Sequence, residues 1–541
     1  MSNQNAIQAL NSFIANKSNS VQVPQMPLQE IAMASTALPL SDYQIDAVQM
    51  VLKNRGVLIG DEMGVGKTAQ AVCIIKSAVE AGMKPVLVVV PPHLRLNWIK
   101  EFKMFAPSLN VQKITGKGTP VIGGKTVEVK DPKTGRKSKR VIGGTPVPLP
   151  ECDVLLMGDL SVEGYKSQLK EVVKAIVVDE CHRMKSTRSK RSDAVVEIAR
   201  ALPAGAIRVA MSGTALINHP KDLIPTLLVI DRLNDFATNN LDGFDYFLGK
   251  FAPRIDRFGT RGVAHLDELH ARLKDGIMIR RLRSEVLTLP NKGRVKHYIE
   301  IAPAIADKYM EAEADLFQYI EDMKGTPSAE RAMKAEAISR INTLRDIVGH
   351  GKVAGVVQYV KNLLDENEQV FITCTHRAVA QAYVNHFAKY EMPNGEMCNV
   401  VRIEGGMSDS AKNASVEAFQ SGSANVLVGN VIASGVGITL TSGRHHVNAE
   451  GCWTSADLMQ CEDRLARRGQ TREVVSHIML GCIEGDLTID ERLFAIVDAK
   501  CGVLNAVLDG VEFNFDGNLI NDENVSNANA VLASYGWTES K

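Results

Sequence analysis

Residues 60–68 read Gly60-Asp61-Glu62-Met63-Gly64-Val65-Gly66-Lys67-Thr68 and follow directly on the apolar run Gly56-Val57-Leu58-Ile59. A strand, a tight glycine turn and a Lys-Thr pair opening a helix form a cradle for the phosphates of a nucleotide. Gly64 and Gly66 let backbone N–H groups approach the anion. Lys67 is placed to reach the β- and γ-phosphates, and Thr68 to set its hydroxyl on Mg²⁺. The strict G-x-x-x-x-G-K-[ST] pattern is broken at one point, because Asp61 stands where its first glycine belongs. The loop alone is therefore suggestive, and the rest of the chain must supply the other parts of a nucleotide-driven machine.

The bounds set by composition are broad. A chain of 541 residues with 45% hydrophobic content can bury large cores, and its length suggests roughly two to four domains. Its 62 basic and 62 acidic residues cancel, so a nucleic-acid partner must be held by a local patch rather than by global charge. The nine cysteines are scattered without a C-x-x-C pair, which fits buried thiols in a reducing compartment better than disulfides or zinc. No secretory leader is visible at the N-terminus. Apolar stretches such as Val86–Val90 are far shorter than the ~20 residues of a membrane helix. The expectation is a soluble intracellular protein with no membrane contact.

Short apolar runs alternate with helical spacing from about residue 40. Val57–Ile59, Val86–Val90, Val154–Met157, Ile176–Val178 and Val209–Met211 suit strands buried on both faces of a parallel sheet. The pattern returns with Val370–Thr373, Val426–Val428 and His446–Val447. An α/β fold is predicted, with two similar blocks at 36–235 and 346–508. The middle, 236–345, lacks such runs and reads as helical, with helices over Asp307–Met323 and Ala329–Val348 broken at 325–328. Residues 1–35 read as a flexible tail, and 509–541 as an acidic one with net charge −5. Within the first block, 113–150 is an insertion. VIGG occurs twice, at 121–124 and 141–144, around a turn near Lys133–Gly135, which predicts a β-hairpin. Residues 113–140 hold nine Lys/Arg against Glu128 and Asp131, a net of +7.

Two further constellations carry chemistry. Asp179-Glu180-Cys181-His182 follows the run Ala175–Val178; Asp179 suits a Mg²⁺ ligand and Glu180 a group that orients water. Ser212-Gly213-Thr214 ends another strand, where small hydroxyl residues can relay a shift. In Gln460-Cys461-Glu462-Asp463-Arg464-Leu465-Ala466-Arg467-Arg468-Gly469-Gln470, Arg464 and Arg467 are three apart and predicted to share a helix face. Two guanidiniums so placed can contact phosphates and stabilise charge as the γ-phosphate leaves.

The order of these motifs resembles helicase superfamily 2, and within it the SWI/SNF-type DNA-translocating ATPases. That family's loop often reads DEMGLGKT, with Asp at the position of Asp61. Tyr43-Gln44 resembles its adenine-reading motif. Residues 85–102 resemble a strand leading to a DNA-facing loop and Trp98, which is expected to lie half in the core and half toward DNA. SGTALIN (212–218), IMIRRLRSEVLTLPNK (277–292), VFITCTHRAV (370–379), NVLVGNVIASGVGITLTSG (425–443) and GDLTIDERL (485–493) resemble further motifs, the second of them the linker between lobes. The likeness covers about 40–505, and the helical middle with Leu344–Val379 is similar to the distant annealing-helicase branch. The chain departs from the family at Cys181, Ala215, Ala466 and Arg468.

The resemblance implies two RecA-like lobes with a helical insertion between them and ATP bound with Mg²⁺ in the cleft. The implied catalytic set is Lys67, Asp179, Glu180, Arg464 and Arg467. Tyr43, Gln44, Asp61, Gly64, Gly66, Lys67, Thr68 and Gly437 would bind nucleotide, with Thr68 and Asp179 at the metal. The implied activity is an ATP-dependent translocase on double-stranded or forked DNA that moves along or remodels DNA or its bound proteins, with DNA contacts in the loops after Val90, at Thr373–His376 and at Gly435–Thr439. The rivals are a strand-separating DNA or RNA helicase of the same superfamily, and an ATP-gated DNA-binding subunit of a restriction or repair complex with an unknown protein partner. The basic hairpin stays open between an extra DNA contact, a solvated insertion and a nuclear-import signal. His445, His446, Cys452 and Cys461 lack zinc spacing, so no structural zinc is expected. The lean architecture suggests the cytoplasm of a bacterial cell or virus-infected host, or the nucleus in a eukaryote.

Overall fold

The computed structural model describes residues 37–510 except 117, 123–124, 131–136, 143–144, 185–188, 216–218, 239, 255–261, 288–289, 324–329, 435–437 and 468. The two predicted tails, apart from 509–510, thus lie outside the described residues, as do the hairpin turn near Lys133–Gly135, the break at 325–328, Gly437 and Arg468.

Strands in chain order are β1 (Gly56–Ile59), β2 (Val86–Val90), β3 (Val111–Ile114), β4 (Val121–Ile122), β5 (Lys125–Lys130), β6 (Lys137–Ile142), β7 (Thr145–Pro146), β8 (Val154–Gly158), β9 (Ala175–Asp179), β10 (Arg208–Met211) and β11 (Met278–Ile279). They continue with β12 (Lys292–Glu300), β13 (Val370–Cys374), β14 (Val400–Ile403), β15 (Val426–Asn430), β16 (His445–Asn448), β17 (Val474–Ile483) and β18 (Asp486–Leu487). Two sheets form. The first runs β11-β1-β10-β9-β2-β8-β3; the second runs β12-β17-β16-β13-β15-β14, with β18 pairing β17. Every described pairing in them is parallel except β17 with β18.

The unbroken runs behave as their composition demands. β1, β2 and β8 are buried at every position, with apolar cores on both faces of the first sheet. This is the packing that covers both faces of a parallel sheet with helices. The register then places the chemistry. Ile59 pairs Met211 and Met211 pairs Asp179, so the loop at 60–68, Asp179-Glu180 and Ser212-Gly213 leave one sheet edge side by side. The carboxyl ends of adjacent parallel strands are where open α/β sheets bind ligands.

The middle region is not free of strands. β11 joins the first sheet beside β1, and β12 forms an edge of the second beside β17. β12 escaped notice because its sequence, KGRVKHYIE, alternates charge with half-exposed positions. An edge strand has no second neighbour to bury it, and charges there block unwanted pairing. Helices Pro303–Met323 and Glu330–Gly351 do form, and Leu316, Ile341, Leu344 and Val348 pack into the core of the second sheet.

One helix ties the lobes together. Ile489–Asp509 has 21 residues, about 31 Å at 1.5 Å per residue. Its first turns bury Ile489, Leu493 and Val497 in the second lobe, and its last bury Val503, Leu504 and Val507 in the first. The hairpin β5–β6 is antiparallel, with Lys125 opposite Ile142 and Lys130 opposite Lys137, and its two strands stand apart from the large sheets. No helix among the described residues is long and apolar enough to cross a membrane.

Candidate active site

Helix Lys67–Glu80 starts straight from the loop, with Gly66 at its N-cap. Gly64 and Gly66 adopt φ 89° and 95°, a region that side chains avoid. A Cβ on Gly66 would also displace the amide end of Gln44. The first N–H groups of the helix have no partner within it and form an anion site. Lys67 Nζ donates to the carbonyls of Asp61 (2.7 Å) and Glu62 (3.2 Å). Tyr43 Oη and Gln44 Nε2 both donate to Val65 O, at 3.0 and 3.2 Å, so these two residues brace the loop itself.

Asp61 differs from the expectation. Its side chain is fully buried under the loop, where it accepts from Gln70 Nε2 at 2.9 Å and pairs with Arg281 at 3.6 Å. It does not line the cavity. Burial, partly offset by Gln70 and Arg281, raises its pKa. Its place is foundation rather than ligand contact.

Asp179 ends β9. Its Oδ2 accepts from Trp98 Nε1 at 2.8 Å and its Oδ1 from the Glu180 N–H at 2.9 Å. Trp98 is 1% exposed, which corrects the half-DNA-facing expectation: its indole belongs to the core and its N–H is spent on the carboxylate. Glu180 has φ 48°, an uncommon left-handed backbone that costs of order 1–3 kcal/mol and clusters at functional sites. Ser212 Oγ donates to Glu180 Oε2 at 3.2 Å and lies 2.8 Å from His182 Nδ1. The two acids are pushed apart. Burial first, then the adjacent Glu180 charge, raises Asp179. Burial would raise Glu180 too, but His182, Lys67 and Arg464 outweigh it and hold that carboxylate ionised.

The arginines arrive differently from the helix face expected. The helix ends at Glu462, and 463–467 form consecutive turns, with Arg464 N donating to Cys461 O and Leu465 N to Glu462 O. Arg464 and Arg467 nevertheless reach one cavity from this segment. Arg467 Nη1 donates to Thr439 Oγ1 at 3.1 Å and Arg464 Nη1 to Ile438 O at 3.5 Å. Both line one cavity of about 680 Å³ with Tyr43, Gln44, Gly64, Gly66, Lys67, Thr68, Asp179 and Glu180. Burial lowers Lys67 and Arg464; burial and then Arg464 lower Arg467 to about 9. Three cations disfavoured by burial in one glycine-rooted cavity fit a polyphosphate, whose negative charge would stabilise their charged forms.

A second cavity, of about 730 Å³, also opens between the lobes. Lys100, Lys103 and Arg183 from one side and Lys412 from the other line it, as does Pro91 after β2. Glu180 borders both cavities. At Thr375-His376, both N–H groups donate to Glu450 Oε2, a local clasp rather than an open loop. His446 bonds Thr373 and Ser476 inside the second sheet, and Cys452 and Cys461 are buried. Sequence reasoning missed the Trp98–Asp179 bond, the His182–Ser212–Glu180 cluster and Arg283. All three were within quoted motifs, but nothing in the sequence tells which residues meet across the fold.

Comparison with known proteins completes the picture. The chain matches the SNF2-related domain over residues 7–353 and the helicase conserved C-terminal domain over 353–469. It is 28% identical over 484 residues to the human DNA annealing helicase and endonuclease ZRANB3, covering 87% of this chain and 40% of that protein. It is 28% identical over 502 residues to SWI/SNF-related matrix-associated actin-dependent regulator of chromatin subfamily A-like protein 1 of Xenopus tropicalis, covering 89% and 46%. The chain therefore spans less than half the length of these two relatives. Among solved structures, the Sulfolobus solfataricus SWI2/SNF2 ATPase core in complex with dsDNA aligns over 88% of this chain and 95% of that one, at TM-score 0.39 and 23% identity. With one family domain spanning well over half of its length and the helicase domain following it without a gap, the chain belongs to the SNF2-related family.

Proposed function

We propose that this chain is a DNA-dependent ATPase that translocates on double-stranded DNA, with annealing and fork remodelling as the work it does. The observation that carries the reading is the shared cavity, in which Lys67, Asp179 and Glu180 of one lobe face Arg464 and Arg467 of the other. Hydrolysis there needs a water oxygen to attack the γ-phosphorus while the bond to the β–γ bridging oxygen breaks and ADP leaves. Glu180, held ionised by its neighbours, orients that water, one of whose protons leaves on the inorganic phosphate. Lys67 and the helix N–H groups hold the β- and γ-phosphates, and Arg464 and Arg467 meet the charge that develops on them. Thr68 and Asp179 would hold Mg²⁺, which when bound with ATP neutralises charge on the phosphate oxygens. Tyr43 and Gln44 line the same cavity and would face the adenine. An ATP site split between two lobes turns the nucleotide state into relative lobe movement.

The second cavity supports the DNA assignment. Lysines and an arginine from both lobes suit phosphate contacts, which position a duplex without reading its sequence. Glu180 borders this cavity as well, which gives a direct path from bound DNA to the catalytic carboxylate. The name of the human relative speaks of annealing.

The test is ATP turnover with duplex, forked and single-stranded DNA and with RNA, at several salt concentrations. Stimulation by duplex or forked DNA is expected, and each phosphate contact adds about −0.9 to the salt slope on duplex. Stimulation by RNA alone, or by no nucleic acid, would overturn the proposal. Efficient separation of a simple forked duplex would favour a strand-separating helicase instead.

A further inference from the structure

Arg283 lies in the linker between the lobes and is 6% exposed. Its backbone N–H donates to Glu62 Oε2 at 2.8 Å, and its Nε donates to Glu62 Oε1 at 3.0 Å. The same guanidinium, whose Nη2 also lies 2.7 Å from Glu62 Oε1, serves the other lobe as well. Nη2 donates to Asp463 Oδ1 at 2.9 Å, and Nη1 donates to the carbonyl of Ala466. Glu62 belongs to the phosphate loop, two residues before Gly64. Asp463 and Ala466 belong to the turn that carries Arg464 and Arg467. One planar side chain thus holds the two halves of the ATP cavity at once.

The surroundings make the bridge specific. Asp463 is 1% exposed, and its Oδ1 also accepts from Lys292 Nζ at 2.9 Å. Glu462, fully buried, takes a bidentate bond from Arg294 at 2.6 and 3.0 Å. Lys292 and Arg294 belong to β12 of the second lobe, so they fix the acidic pair within its own lobe. Arg283 alone of these three cations also reaches Glu62. A carboxylate on each side and a rigid fork between them are what a guanidinium supplies and an ammonium does not.

We propose that Arg283 is a positioning residue that couples the phosphate loop to the arginine turn, so that Arg464 and Arg467 are seated in the cavity only while the Glu62–Arg283–Asp463 bridge is made. A change in the loop on nucleotide binding or release would move Glu62, and Arg283 would carry that movement to the turn. The idea deepens the ATPase reading and rests on it for its kinetic consequences. The bridge itself does not depend on activity, and its test is built accordingly.

Amide hydrogen exchange of the full chain is the first measurement. Arg283→Ala is expected to speed exchange in both 60–68 and 463–467 by about tenfold or more, since charged hydrogen bonds contribute about 1.5–3 kcal/mol. Glu62→Gln, a milder change, should loosen the same two segments together even if Arg283→Ala folds poorly. Turnover is the second. In Arg283→Ala, DNA-stimulated kcat should fall about 10²-fold, the scale of a small misplacement at a reacting centre, with ATP affinity within about threefold. Arg283→Lys should not restore it. The double variant Glu62→Gln/Arg283→Ala should be no slower than the worse single one. Exchange that rises on one side only or on neither, rescue by lysine, or additive losses would overturn the coupling. If the unaltered protein hydrolyses no ATP with any DNA, the ATPase reading fails while the exchange result still decides the bridge.

Discussion

On the first lobe the candidate catalytic groups in the cavity leave the ends of regular elements. Lys67 and Thr68 open a helix, and Asp179 ends a strand whose neighbours are locked in register. On the second lobe Arg464 and Arg467 leave a run of tight turns after a helix of only eight residues. Those turns are held by cations from other elements, Arg283, Lys292 and Arg294. The first half is preorganised by a parallel sheet, the second by ion pairs that can be remade. On the proposed reading, a phosphate site mounted on a sheet is preformed, whereas an arginine pair on an ion-paired turn can be seated in one state and withdrawn in another. That division suits a machine that must bind ATP first and hydrolyse it on closure.

The largest effect should come from breaking the preorganised half at its centre. Lys67→Ala removes the cation proposed to face the phosphates, which donates to the Asp61 and Glu62 carbonyls. Turnover should drop by at least about 10³-fold, the upper range for losing one preorganised donor, and binding of a fluorescent ATP analogue should weaken with it. A variant that still bound and hydrolysed ATP normally would remove the first half from the chemistry altogether.

Arg467→Ala tests the other half. An arginine of this kind contributes on the order of 10³–10⁵ in kcat. Because it sits on the remakeable side, its loss should leave nucleotide affinity nearly unchanged. Titration with the same fluorescent analogue beside steady-state turnover separates the two effects. Equal losses in binding and turnover would erase the distinction between the halves.

The same division explains what could be read in the sequence. β1, β2, β8, β9 and β10 were legible because strands buried on both faces must be apolar throughout, and the residues that end them were legible because strand, turn and chemistry are contiguous. Glu180 and Lys67 are local facts. The second half was legible in residue type and not in geometry. Spacing of three predicts a shared helix face, yet buried Glu462 and Asp463, paired with Arg294, Lys292 and Arg283, sit where the helix gives way to turns. Those partners lie about 170 to 180 residues away, and no periodicity reports a contact so distant. Asp61 shows the converse. Its place in the motif suggested a ligand contact, but motif position does not reveal that a side chain turns under its own loop toward Gln70 and Arg281. β12 was hidden for a third reason, since an edge strand with charged alternation lacks the apolar run by which buried strands are found.

The smallest effect should come from a single support in the preorganised half. Trp98→Phe keeps most of the buried ring and removes only the indole N–H that Asp179 accepts. Asp179 retains the Glu180 N–H and its place at the end of a strand paired through Met211 to β10. The lost bond should cost about 1–3 kcal/mol of stability because one buried acceptor is left with a partner fewer, measured by urea unfolding. Turnover should fall by less than about tenfold, since the sheet rather than the indole sets the carboxylate's position; about 1.4 kcal/mol of barrier corresponds to that factor. The comparison between the halves would break if Trp98→Phe slowed turnover as much as Arg467→Ala. In that case one hydrogen bond, and not the strand register, would be holding the first half in place.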